Sequence, residues 1–180
     1  LINGTNFMDG INSFVGTYYF FVFFIVNIFF LNDQILNYLL LSLIIFILFN
    51  GFGKSILGDS GSYLISFIAG SFLIKFSESD ILISPYFIVL LLWYPAYENL
   101  FSIMRKMLKK YSPSKPDNNH LHQLIFKKLK QKLKFKKEIL NTFTGILINL
   151  YNLFIFLIAV NNFSNTKILL LILIVNMLIY

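Results

Sequence analysis

The chain has 180 residues, of which 57% are hydrophobic and only 13% charged, and its mean hydropathy is +0.74. Those values exclude an ordinary water-soluble domain and point to an integral membrane protein, whose building unit is the spanning helix of about 20 residues. The formal charge is +7, yet 12 of the 15 Lys and Arg residues lie between Arg105 and Lys137, a concentration that suits anionic lipid and a cytoplasmic loop better than nucleic acid, and the absence of cysteine excludes disulfides and thiolate sites.

Charge-free intervals mark the spans, because a charge at mid-bilayer costs roughly 3 kcal/mol. Phe14 to Leu31 is the first, followed by the turn Asn32-Asp33-Gln34. The second runs from Gln34 to Gly53 and ends in Asn50-Gly51-Phe52-Gly53, where two glycines loosen the helix. After the polar turn from Lys54 to Ser62 comes a short third span, Tyr63 to Lys75, in which Ser66 and Gly70 permit close packing and Lys75 snorkels outward. The fourth, Ile81 to Tyr97, follows the turn Ser77-Glu78-Ser79-Asp80 and ends in Trp93, Tyr94 and Pro95, an aromatic group suited to a membrane interface. Past the basic stretch lie Ile139 to Val160 and Ile168 to Tyr180, separated by a turn from Asn161 to Thr166. The expected fold is therefore all-α: a polytopic membrane bundle of about six spans with a cytoplasmic amphipathic helical segment. Residues 1–180 form one multi-spanning unit, and residues 105–137 form its basic loop. Because the chain opens on Leu1 rather than Met, with neither a cationic leader nor an apolar signal core, it reads as the C-terminal part of a longer protein.

Lys and Arg accumulate on the cytoplasmic side, so the basic stretch assigns that side and alternation assigns the rest. Three polar clusters then share the cytoplasmic face. The first is Asn3-Gly4-Thr5-Asn6-Phe7-Met8-Asp9-Gly10, whose Asn3, Asn6 and Asp9 occupy one broad face if the segment is helical; a terminal loop rich in turn formers is the plainer alternative. In the second, Gly58-Asp59-Ser60-Gly61-Ser62, Gly58 and Gly61 let backbone approach a ligand at a helix start. A helix start there suits phosphate, and a carboxylate suits Mg²⁺, although Asp59 or Ser60 could simply cap the helix. The third, from Ser112 to His122, holds both histidines of the chain. His120 and His122 point apart on a helix and together on an extended segment, and their spacing supplies no zinc site. The lysine run Lys127 to Lys137, interleaved with Leu129, Leu133 and Phe135 and preceded by Leu124 and Ile125, reads as an amphipathic helix on a lipid surface. It offers no stacking platform for nucleic acid.

Taken in order, Asn3-x-x-Asn6-x-x-Asp9-Gly10, Gly58-Asp59-Ser60-Gly61-Ser62, and Ser112-Pro113 through Pro116-Asp117 to Asn119-His120-Leu121-His122 resemble the motifs of the polyprenyl-phosphate N-acetylhexosamine-1-phosphate transferase family. The third motif is more similar to the GlcNAc-type branch than to the MurNAc-pentapeptide branch. The resemblance implies a bacterial inner-membrane enzyme that moves a sugar-1-phosphate from a UDP-N-acetylhexosamine to undecaprenyl phosphate. UMP is released and a lipid-linked cell-envelope glycan is begun. It further implies that Asp59 helps hold Mg²⁺ (Mn²⁺ being an alternative) and that Asp9, Asn6 and Asn3 organise the nucleotide-sugar site. Gly58 and Gly61 would approach phosphate, and His120 and His122 would contact the diphosphate or hexosamine.

Departures from the family pattern are Asn12 in place of a second acid, Gln123 in place of a third histidine, and no Asp-Asp pair anywhere in the chain. The lack of that pair leads to the expectation that these residues alone are inactive. Two other classes compete with the enzyme reading. A transporter-like bundle would line a path with intramembrane charges, and a noncatalytic scaffold would use only the basic surface.

Overall fold

A computed structural model describes residues 1–78, 82–110 and 119–180, so the Ser112 to Asp117 part of the third motif and the start of the fourth expected span at Ile81 lie outside the described residues. Among the described residues the chain is all-α, with helices α1 (Ile2–Met8), α2 (Phe14–Val26), α3 (Gln34–Gly51), α4 (Gly58–Ser77), α5 (Pro85–Leu91), α6 (Trp93–Leu108), α7 (Leu121–Lys132), α8 (Lys137–Val160) and α9 (Thr166–Ile179).

Local chemistry sets the boundaries. A π-turn, Asn27–Leu31, extends α2, so that Phe14–Leu31 forms one span-length unit matching the expected first span. Asn32 then turns left-handed at φ 49°, and Asp33 caps α3 by accepting the Ile35 N–H at 2.6 Å and the Leu36 N–H at 3.3 Å. Asn165 caps α9 the same way through the Ile168 N–H at 3.3 Å.

The fourth span departs from expectation. It breaks at Leu92, and the two helices on either side meet at a 74° bend. Pro95 supplies the reason, since it has no N–H for the Leu91 carbonyl four residues back and its ring crowds that position. The freed carbonyl is taken by the Tyr18 hydroxyl, which donates to Leu91 O at 2.8 Å. Trp93 and Tyr94 are buried at this break, each 1% exposed, rather than lying in an interfacial belt. Tyr94 stands edge-on to Phe14, and Trp93 edge-on to Tyr97 and Tyr151. The bend lets α6 run on past Tyr97, so the basic stretch begins inside a helix.

By length and apolar composition, three helices suit a membrane crossing: Phe14–Leu31, Gln34–Gly51 and Lys137–Val160. The bent α5–α6 pair makes a fourth if counted as one span. The six expected spans are thus fewer by this measure. The α4 helix has 20 residues, but its first turn is Gly-Asp-Ser-Gly-Ser and Lys75 sits near its end. The α9 helix has only 14 residues. The outer side of α3 leaves Ile35, Tyr38, Leu41, Ile45 and Leu48 exposed, a face suited to lipid.

The short α1 lies between α4 and α6, while α2 packs on α3 and α8, and α7 covers α8. Gly4 allows the first of these packings, because a methyl group there would fall 2.0 Å from the Pro95 carbonyl oxygen. Between α2 and α8, Asn149 donates to Phe14 O at 2.8 Å, which ties helices where lipid offers no hydrophobic drive for association.

Candidate functional site

The first two motifs meet at the C-terminal end of α1 and the N-terminal end of α4. Ser62, fully buried, donates to Asn6 Oδ1 at 3.0 Å. Asp9 follows the last turn of α1, with the Gly58 backbone N–H close enough to favour its charged form. Burial foremost, and then the negative charge of Asp59, lift the Asp9 carboxyl to about 6 against the pull of the Gly58 N–H. Asp59 itself is exposed on the first turn of α4. Gly58 has φ 65°, a left-handed conformation that a residue with Cβ seldom adopts, and open space faces its missing side chain. Gly61 instead faces the Leu57 side chain, where a Cβ would lie 2.9 Å from it. Asn3 is exposed and opens on a cavity of about 520 Å³ that reaches along α4 to Ser66, Gly70 and Ile74 and also touches Asn99 on α6.

The third motif arrives through α7. His120 is the residue preceding that helix, with an extended backbone at φ −69° and ψ 146°, and His122 lies in its first turn. Because only one of the two is helical, their rings turn the same way and stack at 5.6 Å with planes 5° apart. Phe7 of α1 stacks on His120 at 5.0 Å, and Phe14 tilts against His122 at 5.5 Å. A methyl group on Gly10 would lie 3.5 Å from His122 Nε2 and 3.7 Å from Gln123 Nε2, so the histidine turn abuts the Asp9-Gly10 turn.

Sequence reasoning missed Glu98. This residue of α6 is fully buried and takes both histidines: His120 Nδ1 lies 2.7 Å from Oε2 and His122 Nδ1 lies 3.2 Å from Oε1. Oε1 also accepts the Leu121 N–H at 3.1 Å. A usable signal was present, since Glu98 is the lone acid within residues 81–104, and an ionisable residue in an apolar helix is by default a functional candidate. Desolvation holds the His122 imidazole below its ordinary value of 6.5, against the pull of Glu98.

The expected amphipathic helix also differs in extent. It starts at Leu121 and stops at Lys132, and Phe135 beyond it is exposed. Leu121, Ile125 and Phe126 pack toward the bundle, while Lys128, Lys130 and Lys132 point outward.

Among the described residues no group of three or more His, Asp or Glu side chains has the geometry of a metal cage. The donor set nevertheless fits Mg²⁺, which commonly takes one or two carboxylates and completes its shell with water and substrate phosphate. Asp9, forced upward by burial and by Asp59, is a carboxylate that a nearby cation would relieve.

No family model matches the chain, and no solved structure matches it. A curated protein, the undecaprenyl-phosphate alpha-N-acetylglucosaminyl 1-phosphate transferase of Thermotoga maritima, is 33% identical to it over 76 residues, which make up 42% of this chain and 25% of that relative. The aligned segment therefore spans about a quarter of the length of a membrane-lipid sugar-phosphate transferase, and similarity of that extent is what the comparisons establish.

Proposed function

We propose that the chain carries part of the active site of a phosphoglycosyl transferase, moving a sugar-1-phosphate from a UDP-N-acetylhexosamine to undecaprenyl phosphate, with UDP-GlcNAc as the donor to test first. The observation that carries this reading is the meeting of three sequence-distant clusters: Asn6 with Ser62, Asp9 with Gly58, and Gly10 with His122. The partial similarity to the Thermotoga transferase supports the same class.

An oxygen of the lipid phosphate attacks the phosphorus bonded to the sugar oxygen. A new phosphoanhydride forms as the old one breaks, and UMP leaves with the bridging oxygen. With a dianionic acceptor the charges balance without any net proton release, so the obstacle is repulsion between two anions rather than activation of a weak nucleophile. Asp59, with Asp9, would hold Mg²⁺, which supplies charge neutralisation between the two phosphates. The left-handed Gly58 leaves backbone open at the start of α4, where unpaired N–H groups favour a phosphate oxygen. His120 and His122 line the opposite side and orient the sugar nucleotide. In this reading the site faces the cytoplasm, where UDP-sugars are found, and the outward lysines of α7 rest on anionic headgroups.

The test is UMP release from UDP-GlcNAc by membranes carrying the complete gene product, with undecaprenyl phosphate and Mg²⁺ supplied. Release that depends on all three, falls at fixed Mg²⁺ in Asp59→Asn and is lost in the double variant His120→Ala/His122→Ala is the expected result. Wild-type rates in those variants overturn the assignment of these residues. No release under any condition returns the protein to the scaffold reading.

A further inference from the structure

The stacked imidazoles of His120 and His122 are held on three sides. Phe7 covers one face of the pair, Phe14 leans on the other, and a single carboxylate binds both Nδ1 atoms. An ionised carboxylate accepts hydrogen bonds and has none to give, so each Nδ1 must be the donor. A neutral imidazole carries one N–H. Placing it on Nδ1 leaves Nε2 with a bare lone pair on both rings.

For His122 this has a consequence at the Asp9-Gly10 turn. Its side chain is fully buried, and its Nε2 has no hydrogen-bond partner among the described residues. The direction of that atom is given by Gly10, whose missing side chain would sit 3.5 Å away. A buried acceptor without a donor is unfavourable, and folds keep such atoms where a ligand or water completes them. Desolvation also disfavours the imidazolium, which would place a proton on Nε2 and remove the acceptor.

We propose that Glu98 is a positioning residue that locks His120 and His122 as Nδ1–H tautomers and thereby presents His122 Nε2, beside Gly10, as the acceptor for an O–H or N–H group of the bound sugar nucleotide. This rests on the transferase reading for the identity of the ligand, and on the hydrogen bonds alone for the tautomers. It assigns His122 a role opposite to that of a cationic phosphate clamp: it receives a hydrogen bond instead of offering positive charge. It also explains why an acid lies buried in α6. Exchanging the carboxylate for an amide keeps the shape but changes the pattern, because an amide has one accepting oxygen and one donating NH₂. One of the two imidazoles must then turn its lone pair to Nδ1 and its proton to Nε2.

In ¹⁵N-histidine NMR of the protein in detergent, the four ring-nitrogen signals of His120 and His122 are assignable with His120→Gln and His122→Gln variants. At pH 7.5 His122 Nε2 is expected in the unprotonated range and both Nδ1 atoms in the protonated range. Glu98→Gln is expected to exchange the ranges for one histidine. A protonated His122 Nε2 in the wild type, or four unmoved signals in Glu98→Gln, overturns the inference whatever the enzyme assay gives. Adding UDP-GlcNAc, and separately UDP, is expected to move the His122 Nε2 signal toward that of a hydrogen-bonded acceptor. Movement with both ligands places the donor on the nucleoside and movement with UDP-GlcNAc alone places it on the sugar, while no movement with either removes the acceptor role. In the assay, UMP release is expected to fall about 10- to 100-fold in Glu98→Gln, the range for losing a charge-assisted hydrogen bond, and Glu98→Asp, which keeps the charge but shortens the reach, is expected to lie between that variant and wild type. Failure of UMP release in the wild type with the tautomers as expected overturns the transferase reading and leaves the positioning role of Glu98 standing.

Discussion

Ser62 donates its hydroxyl hydrogen to Asn6 Oδ1 across 3.0 Å, although 56 residues separate the two. That hydrogen bond joins the C-terminal half of α1 to the first turn of α4 and so sets the spacing between Asp9 and Asp59. Ser62→Ala removes the donor and leaves the Asn6 carbonyl to find another. The expected cost is about 1 kcal/mol of stability, read as a lowered thermal midpoint in detergent. UMP release should fall more steeply than stability alone accounts for, because the two acids lose their common frame. Ser62→Thr, which keeps the hydroxyl, should recover most of the loss.

The pH dependence of stability has a definite sign. Asp9 titrates near 6 in the fold against an ordinary 3.8, so between those values the native state holds a proton that the unfolded chain has released. Native stability therefore declines as pH rises from about 4 to about 6 and is level above that. Asn cannot ionise. Without divalent cations, Asp9→Asn should have the higher thermal midpoint at pH 7.5, and the difference should vanish near pH 4. Equal midpoints at both pH values would mean that Asp9 is not held in the environment described.

Cation dependence gives a separate test at Asp59. Chelation with EDTA should abolish UMP release, and Mg²⁺ should restore it. Asp59→Asn, which removes one anionic ligand from an exposed site, should raise the Mg²⁺ concentration needed for half-maximal release by about 10-fold or more, in line with the charge dependence of hard-cation sites. An unchanged Mg²⁺ requirement would assign the cation to other residues.

Two glycines should resist substitution. A Cβ on Gly4 would meet the Pro95 carbonyl oxygen at 2.0 Å, and one on Gly145 would meet the Asn12 carbonyl oxygen at 2.5 Å. Both obstacles are backbone, which cannot rotate away. Gly4→Ala and Gly145→Ala should each cost about 1–3 kcal/mol, seen as lower yield of folded protein in detergent. Gly58→Ala should behave differently, since space is open there and the penalty comes from its φ of 65°.

At the break in the fourth span, Tyr18→Phe deletes the hydroxyl that satisfies Leu91 O. Intramembrane hydrogen bonds contribute about 1 kcal/mol, so a drop of that size in stability is expected. A larger effect on UMP release would show that the angle at which α6 leaves the span matters to the site it carries.

Much of the architecture was legible one-dimensionally. Charge-free intervals located Phe14–Leu31 and Gln34–Gly51 closely, because a bilayer penalises each charge wherever it falls in the chain. The Asn-Asp pair at 32 and 33 announced its turn, because Asn tolerates a left-handed backbone and the Asp side chain bonds to nearby backbone N–H groups. The bend at Leu92 was less legible, although Pro95 is its cause: a proline near the end of an apolar run fits a helix that terminates as well as one that breaks and continues.

The clusters themselves were readable as motifs, since residue type and short spacing are local properties. Their meeting was not. Sequence alone determined an all-α membrane chain with acids, glycines and two histidines in polar segments. Only the tertiary structure decided that α6, turned by 74°, brings Glu98 under both histidines, and that Gly61 faces the Leu57 side chain while Gly58 leaves backbone open. Hydrophobic spacing specifies which face of a helix is buried, whereas which buried groups meet depends on crossing angles and on freed backbone groups finding partners from distant helices, and no local pattern encodes those.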